Sequence, residues 1–182
     1  MSKRILVPIA DGTEEIEAVC LIDVLRRAGA AVTVASVGEL QVTASRGVKL
    51  VADKLIDECV DETYDLVVLP GGMPGAERLR DSKELETILS RQKKEERLYG
   101  AICASPAVVL QHHGLLDQCR ATCHPSFVGQ LENSDLVESR VAVDGICVTS
   151  RGPGTALEFA LKLVELLYGE ERAQEVAAPM VI

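Results

Sequence analysis

The sequence predicts an α/β fold with a mostly parallel central sheet covered by helices on both faces. Short, continuously apolar runs alternate with segments of helical periodicity along the 182-residue chain. Strands that are apolar on both sides are typical of parallel sheets buried between helix layers. Aromatic residues make up only 3% of the chain, so the core must be aliphatic and rich in alanine. The length is that of one domain, which we assign to residues 1–182.

The first part of the chain begins with a buried strand and an amphipathic helix. "RILVPIA" predicts the strand over 4–10, and the helix runs from Glu14 to Ala28, where "AGA" ends it. Apolar runs predict the next strands at 31–37 and 64–72, with the mixed segment "GVKLVADKLI" between them. The latter strand ends in a glycine pair. A charged amphipathic helix is predicted over 82–97.

The second part continues the alternation and then adds a hairpin. "LYGAIC" predicts a strand, and "SPAVVLQHHG" predicts the helix that follows it. Two β-rich runs over 140–150 are separated by Asp-Gly, a dipeptide that favours a tight turn between antiparallel strands. "GPGTALEFALKLVELLYG" predicts a long helix, and "EERAQEVAAP" predicts a short final one. The chain shows no repeat and no linker.

Charge and hydropathy exclude two classes of partner. The net charge of -9 argues against nucleic acid, whose phosphates require clustered Lys and Arg. The densest basic run, "RQKKEER", is diluted by glutamates and reads as a solvated helix face. The first apolar run is interrupted by "PIADG" and is too short for a signal peptide or membrane span. We therefore expect a cytoplasmic protein with no membrane partner.

The six cysteines form no CxxC pair and are scattered through apolar stretches. In a reducing compartment they are expected to be free thiols, most of them small core residues. Cys119, Cys123 and His124 lie close together in the sequence, but no second pair of ligands accompanies them as a zinc site requires. We predict no metal and no organic cofactor.

The predicted sheet places a site at the loops that follow its strands. In open α/β sheets, ligands bind beyond the carboxyl ends of the strands, where the strand order reverses. The corresponding loops here are "ADGTEEIE", "PGGMPGAE", "CASP" and "SRGPGT". Three of them are rich in Gly or Pro, and glycine lets the backbone approach a ligand closely.

Cys103 lies where a predicted strand ends and a helix begins. A thiol at such an elbow faces the helix amino terminus, which favours the thiolate and lowers its pKa. Backbone N–H groups of the same turn can also hold an oxyanion. The alternative is an inert thiol buried in an "Ala-Ile-Cys-Ala" core segment, and the segment alone does not decide between them.

Two glutamates fall on the apolar side of the first helix, which is an unusual place for carboxylates. Glu14 is close to the expected helix cap, and accepting N–H groups of its own helix terminus explains it sufficiently. Glu17 lies one turn further in, among apolar groups, where desolvation favours the protonated acid. A protonated Glu17 could donate a hydrogen bond to a thiolate or a substrate oxygen.

His124 is the histidine most able to reach a pocket, because it precedes a proline in an extended or turn segment. A structural role is the competing interpretation, since single histidines are commonly structural. His112 and His113 lie near the predicted end of their helix, where exposure or the helix dipole accounts for them.

Taken together, "ADGTEEIEAV", "DLVVLPGGMPGAE", "GAICASP", "ATCHP" and "TSRGPGTALEFAL" resemble the DJ-1 family, within the DJ-1/ThiJ/PfpI superfamily. The resemblance extends in register along nearly the whole chain. It implies a flavodoxin-like fold and a homodimer. It also implies that Cys103 is an oxidation-prone nucleophile, that Glu17 is the protonated acid bonded to its sulfur, and that His124 lies beside the pocket. Gly72 and Ala104 match the backbone amides of the oxyanion site. The remaining matches are to the pocket wall and the dimer edge: Arg46, Arg27, Gly152 and Pro153.

The activity that the resemblance implies is a glutathione-independent glyoxalase acting on methylglyoxal and glyoxal through Cys103. A related deglycase activity on glycated proteins is implied as well. A second hypothesis is a redox-sensing chaperone for client proteins, whose Cys103 oxidises to sulfinic acid. The peptidase branch of the superfamily fits less well, because no carboxylate stands two positions after His124 to orient its ring.

Overall fold

The computed structural model describes residues 2–133 and 135–182. It contains a seven-stranded sheet, a separate two-stranded hairpin and helices on both sheet faces. The strands are β1 (Arg4–Ile9), β2 (Ala31–Ser36), β3 (Gln41–Thr43), β4 (Lys49–Val51), β5 (Lys54–Leu55), β6 (Leu66–Leu69), β7 (Leu98–Ile102), β8 (Val141–Asp144) and β9 (Cys147–Ser150). The helices are α1 (Glu15–Arg27), α2 (Gly75–Asp81), α3 (Lys83–Lys94), α4 (Ala156–Tyr168) and α5 (Glu170–Ala177), with a π-helix over Pro106–Gln111. Short 3-10 helices lie at Ile56–Cys59, Pro125–Gln130, Pro153–Thr155 and Ala178–Met180.

The large sheet has the order β5-β2-β1-β6-β7-β9-β8. All neighbouring strands are parallel except β8 and β9, which form an antiparallel hairpin whose turn is Gly145 and Ile146, directly after Asp144. This confirms the predicted α/β class, the mostly parallel sheet and the Asp-Gly hairpin.

Both sheet faces are buried, which explains why the strands are continuously apolar. On β1, Ile5, Val7 and Ile9 pack against α1 and α4, whereas Leu6 faces the opposite core layer. Helices α2, α3 and the π-helix contribute to that second layer. Successive strand side chains point to opposite faces, so a strand between two helix layers needs apolar residues at every position.

The strand order reverses beside β1, because β2 lies on one side of it and β6 on the other. The loops that follow β1, β6, β7 and β9 therefore meet at one edge of the sheet. No helix in the described ranges 2–133 and 135–182 is both long and apolar enough to cross a bilayer.

Three local features differ from the sequence-based expectations. The mixed segment 47–56 contains the short strands β4 and β5, and the preceding β3 was not predicted. Helix α2 was not predicted either. The helix after Cys103 is a π-helix of six residues rather than a regular α-helix.

Candidate active site

Cys103 lies in the turn between β7 and the π-helix, and its backbone is left-handed with φ of 66°. Few residues other than glycine adopt this region, and strained backbone of this kind clusters at functional sites. The turn is fixed on both sides, because the Cys103 N–H donates to Ser150 O at 3.0 Å and its carbonyl accepts the His124 N–H at 2.8 Å. The strand-to-helix elbow predicted from the sequence is therefore present.

Backbone amides from two loops meet the Cys103 sulfur. The backbone amides of Gly72, after β6, and of Ala104, in the elbow itself, lie beside the sulfur and lower its pKa. Close approach of the loops requires a glycine at position 71, where a Cβ would lie 2.6 Å from the Cys103 Cβ. Below these atoms, the Ser105 hydroxyl donates to Pro70 O at 2.6 Å and ties the two strand ends together.

Glu17 lies fully buried beneath Cys103, in the first turns of α1. Its Oε2 accepts the Gly71 N–H at 2.7 Å. Its Oε1 is buried and has no hydrogen-bond partner within the described part of the chain. The carboxyl lies next to the Cys103 thiol, and each group shifts the pKa of the other. The pairing of these two residues across the sheet edge is thus as the sequence analysis expected.

Burial raises the pKa of Glu17 to about 7, against the opposing effect of the Gly71 N–H. Burial and the charge of an ionised Glu17 raise the pKa of Cys103 to about 12, whereas the Gly72 and Ala104 amides lower it. Two acids this close therefore do not ionise together, and the pair loses one proton near neutral pH. The lowered thiol pKa expected from the sequence is not found beside a charged Glu17; it requires Glu17 to keep the proton.

Glu14 caps α1, because its carboxylate accepts the Ile16 N–H at 3.3 Å. The Ser45 hydroxyl also donates to Glu14, at 2.9 Å. The next residue, Glu15, accepts the Arg46 N–H at 2.8 Å. These bonds hold the turn between β3 and β4 against the start of α1. The capping role expected for Glu14 is confirmed.

His124 stands beside the elbow, at the amino-terminal end of the 3-10 helix Pro125–Gln130. Its Nδ1 accepts the Ser126 N–H at 3.2 Å, so the neutral ring carries its proton on Nε2. The ring packs edge-on against Phe127, with the ring centroids 6.2 Å apart. On its other side, a Cβ at Gly152 would lie 3.5 Å from His124 Cδ2.

A cavity of about 260 Å³ opens over these groups. Seven of the residues predicted from the sequence line it: Cys103, Ala104, Gly72, Glu14, Arg46, His124 and Pro153. Gly152 lines an adjoining depression that shares His124 and Pro153. Glu17 does not line the cavity, since it lies behind the sulfur.

Arg27 does not line this cavity, which corrects its assignment as a substrate-binding residue of the same chain; its place at the dimer edge stays a prediction. It lies ten residues after Glu17, a displacement of roughly 15 Å along a helix. There it forms an ion pair with Asp23 at 2.6 Å, and its carbonyl accepts from Arg172. The side chain belongs to the far end of α1.

Three cavity residues were not predicted from the sequence: Ser45, Met73 and Phe127. Each is a close sequence neighbour of a predicted one, and Phe127 follows His124 at helical spacing. Where a loop lines a cavity, several consecutive residues of that loop often line it. Sequence proximity to the predicted residues could therefore have identified these three. Within the described residues, no group of three or more His, Cys, Asp or Glu side chains is arranged to hold a metal ion.

Comparison with known proteins places this geometry in a family. The model of the DJ-1/PfpI family matches residues 3–166. Protein DJ-1 homolog B of Arabidopsis thaliana is 54% identical over 96% of this chain, but the match covers only 40% of that protein. The chain thus spans less than half the length of the two Arabidopsis relatives that it matches.

Relatives of similar length share the whole chain. A protein named glutathione-independent glyoxalase DJR-1.2, from Caenorhabditis elegans, is 36% identical over 98% of this chain and 95% of its own length. The solved structure of Toxoplasma gondii DJ-1, described as oxidized, superposes with a TM-score of 0.95. It is 51% identical and covers 99% of this chain and 98% of its own. The chain belongs to the DJ-1/PfpI family.

Proposed function

We propose that the protein is a glutathione-independent glyoxalase that converts 2-oxoaldehydes such as methylglyoxal and glyoxal into 2-hydroxy acids. The observation that carries this proposal is the buried Glu17 carboxyl beside the Cys103 thiol, where it accepts the N–H of the glycine that packs against Cys103. The glyoxalase name of the Caenorhabditis elegans relative supports it. The steps use only side chains and backbone amides of this chain.

In the proposed resting state, the single negative charge of the pair resides on sulfur and Glu17 keeps its proton. Two backbone amides, of Gly72 and Ala104, favour the charged form of the sulfur, which is partly open to the cavity. The carboxyl receives one N–H donor, from Gly71, and has no exposed surface. A buried group with fewer donors is the less favourable site for a charge.

Catalysis begins with attack of the Cys103 sulfur on the aldehyde carbon. The S–C bond forms and the carbonyl electron pair moves to oxygen, where the Gly72 and Ala104 amides stabilise it. The oxygen then takes a proton and gives a hemithioacetal.

Water in the cavity carries the proton of the former aldehyde carbon to the neighbouring carbon through an enediol, which leaves a thioester on Cys103. The His124 ring lines the cavity, and its Nε2–H donates to the enediol oxygen as charge develops there. Glu17 supports the step by holding its own proton against the sulfur. Water hydrolyses the thioester, releases the 2-hydroxy acid and restores the thiolate.

The cavity volume restricts the substrate class. About 260 Å³ lies below the range of roughly 300–1,000 Å³ that is usual for drug-sized ligands. A small oxoaldehyde fits, whereas a polypeptide could only present one modified side chain to the opening. Deglycase action on such adducts would extend the same chemistry to a modified side chain, whereas free methylglyoxal enters the cavity whole.

The test is loss of methylglyoxal, and formation of the 2-hydroxy acid, without glutathione. We expect the Cys103→Ser variant to lose activity to the buffer rate, and the Cys20→Ser variant to keep it. Cys20 is a matched control because it is also half-buried but lies on α1, away from the cavity. Equal rates for wild type and Cys103→Ser would remove Cys103 as the nucleophile and the proposed mechanism with it.

A redox-sensing function of the same thiol is the second candidate, with chaperone action on client proteins as its output. The contact between Glu17 and the sulfur favours it, because a protonated carboxyl can donate to an oxygen of a sulfinate. Mild peroxide should add two oxygen atoms at Cys103, and Glu17→Ala should let the oxidation proceed further to the sulfonate. Addition of oxygen elsewhere, with Cys103 unchanged, would exclude this candidate.

We also propose that a second copy of the chain covers one apolar face. Ile16 and Val19 of α1 and Val48 and Val51 near the adjoining hairpin are exposed, with Val51 70% accessible. Apolar side chains grouped in this way are typical of an interface. Sedimentation should show a dimer for wild type and a monomer for Val51→Asp, whereas Val143→Asp on β8 should remain dimeric. A wild-type monomer would refute the proposal.

A further inference from the structure

Two thiols that do not line the cavity, Cys119 and Cys147, lie near each other at the amino-terminal end of β9. Cys147 is the first residue of β9, and its partner across the β7–β9 pairing is Tyr99. Cys119 packs against the same core layer. The Arg120 N–H donates to Asp144 Oδ2 at 2.9 Å, which fixes the chain next to Cys119 against the β8–β9 hairpin.

The two sulfurs differ in exposure and in charge. Cys147 is buried, whereas Cys119 is half-buried. Asp144, which holds the Arg120 N–H, is paired with Cys147 across the hairpin, and the Thr122 N–H donates to Thr149 Oγ1 at 2.9 Å, so the chain after Cys119 runs alongside the start of β9. The neighbouring Cys147 thiol lowers the pKa of Cys119 to about 6, and the charge of Lys93 acts in the same direction, whereas burial and the charge of Asp144 oppose it. The same contact raises the pKa of Cys147. One sulfur is thus a nucleophile within reach of solvent, and the other is a protonated thiol behind it.

This pair is separate from Cys103. Tyr99 lies four residues before Cys103 on the same strand, a displacement of about 13 Å along an extended chain. For the remaining three cysteines, no other thiol contributes to the shift in pKa: Cys20, Cys59 and Cys123. The arrangement of Cys119 and Cys147 is therefore a local feature, and it does not depend on the proposed glyoxalase chemistry.

From this arrangement we infer that Cys119 and Cys147 form a second redox site, at which a hydroperoxide converts the two thiols reversibly into a disulfide. Cys119 is the attacking thiol and Cys147 is the resolving one. The bond would tie the segment that leads into His124 to the start of β9.

The reaction balances with one hydroperoxide. The Cys119 thiolate attacks the terminal peroxide oxygen, so an S–O bond forms, the O–O bond breaks, and the leaving oxygen takes a proton as water or alcohol. The Cys147 sulfur then attacks the Cys119 sulfenic acid. An S–S bond forms, the S–O bond breaks, and the hydroxyl leaves as water with the Cys147 proton. The two thiols supply the two electrons that reduce the peroxide.

The test uses the full chain carrying Cys103→Ser, so that Cys103 does not consume the oxidant. One equivalent of hydrogen peroxide should lower the count of titratable thiols from five to three per chain, since six cysteines are free in the native protein. The intact mass should fall by two hydrogen atoms, and dithiothreitol should restore both values. A non-reducing peptide map should show Cys119 linked to Cys147 within one chain.

Two further substitutions in the Cys103→Ser background test whether the loss of thiols requires Cys119. Cys119→Ser should retain all four remaining thiols, whereas the matched control Cys20→Ser should still lose two. Three results would overturn the inference: an unchanged thiol count, oxygen added at Cys119 without a cross-link, or a cross-link between other cysteines. The peptide map needs no substitution at either thiol, so it decides the matter even if Cys119→Ser folds poorly.

Discussion

Replacing Glu17 by glutamine removes the ionisable proton of this side chain and keeps its size and shape. Glutamine can still accept the Gly71 N–H through its oxygen, which leaves its NH₂ group facing the Cys103 sulfur. The substitution therefore keeps a donor at the sulfur but exchanges a carboxyl O–H for an amide N–H. It also removes any possibility that position 17 carries the negative charge.

The size of the effect depends on where the charge resides in wild type. If it is on sulfur, the amide is the weaker donor by about 1 kcal/mol, the scale on which hydrogen bonds to charged and neutral groups differ. That loss is equivalent to a rise of roughly 0.7 in the pKa of Cys103. If the charge is on Glu17, the substitution removes a negative charge from beside the sulfur, and the pKa of Cys103 falls from its value of about 12.

The assay is the ultraviolet absorbance of the thiolate against pH, with iodoacetamide labelling of the Cys103 peptide as an independent readout. Both are measured in a Cys119→Ser background, because Cys119 titrates at about 6 and would obscure the signal. The same chain carrying Cys103→Ser supplies the baseline. A small upward shift on Glu17→Gln is expected. A fall of several units would place the wild-type charge on the carboxylate and refute the proposed resting state.

Three other predictions concern stability. Unfolded Glu17 releases its proton near 4.5, whereas the folded Glu17–Cys103 pair releases its first proton near 7. Wild-type stability therefore falls by about 3 kcal/mol as the pH rises through that window, and denaturant titration of Glu17→Gln should lack this loss. Gly71→Ala places a Cβ 2.6 Å from that of Cys103 and should cost about 1–3 kcal/mol, whereas Gly152→Ala meets nothing closer than 3.5 Å and should change the melting temperature little. Ser105→Ala leaves a buried carbonyl without its donor and should cost about 1–3 kcal/mol by urea unfolding.

The parts of the fold that local patterns determine were predictable. Apolar runs located β1, β2, β6 and β7, and the Asp-Gly dipeptide located the hairpin of β8 and β9, because these elements follow from strand burial and turn geometry.

The elements that were missed depend on distant partners. Strand β3 has three residues and is held by the bonds of Thr43 to Asp11 Oδ1 and to the Gly12 N–H. Helix α2 starts at a glycine directly after Pro74 and is stabilised by burying Ala76 and Leu79. The local sequence of neither element has a clear strand or helix propensity, because contacts with distant residues determine their structure.

The candidate site divides in the same way. The functional role of Glu17 could be predicted, because a carboxyl is rarely found on the apolar side of a helix unless it has a specific partner. Arg27 was assigned by resemblance alone, and its distance along α1 shows the limit of that inference. The burial that raises the pKa of Cys103 could not be predicted, since it depends on how closely the loops around Gly71 approach the elbow.

The left-handed backbone at Cys103 also bears on how such a gene could change over time. An L residue with a side chain is strained there by roughly 1–2 kcal/mol, and glycine is not. A duplicated gene freed from selection for thiol chemistry would therefore gain folding stability by drifting to glycine at this position. A copy that keeps cysteine at this position, although glycine would make the fold more stable, is therefore expected to depend on the sulfur for its function.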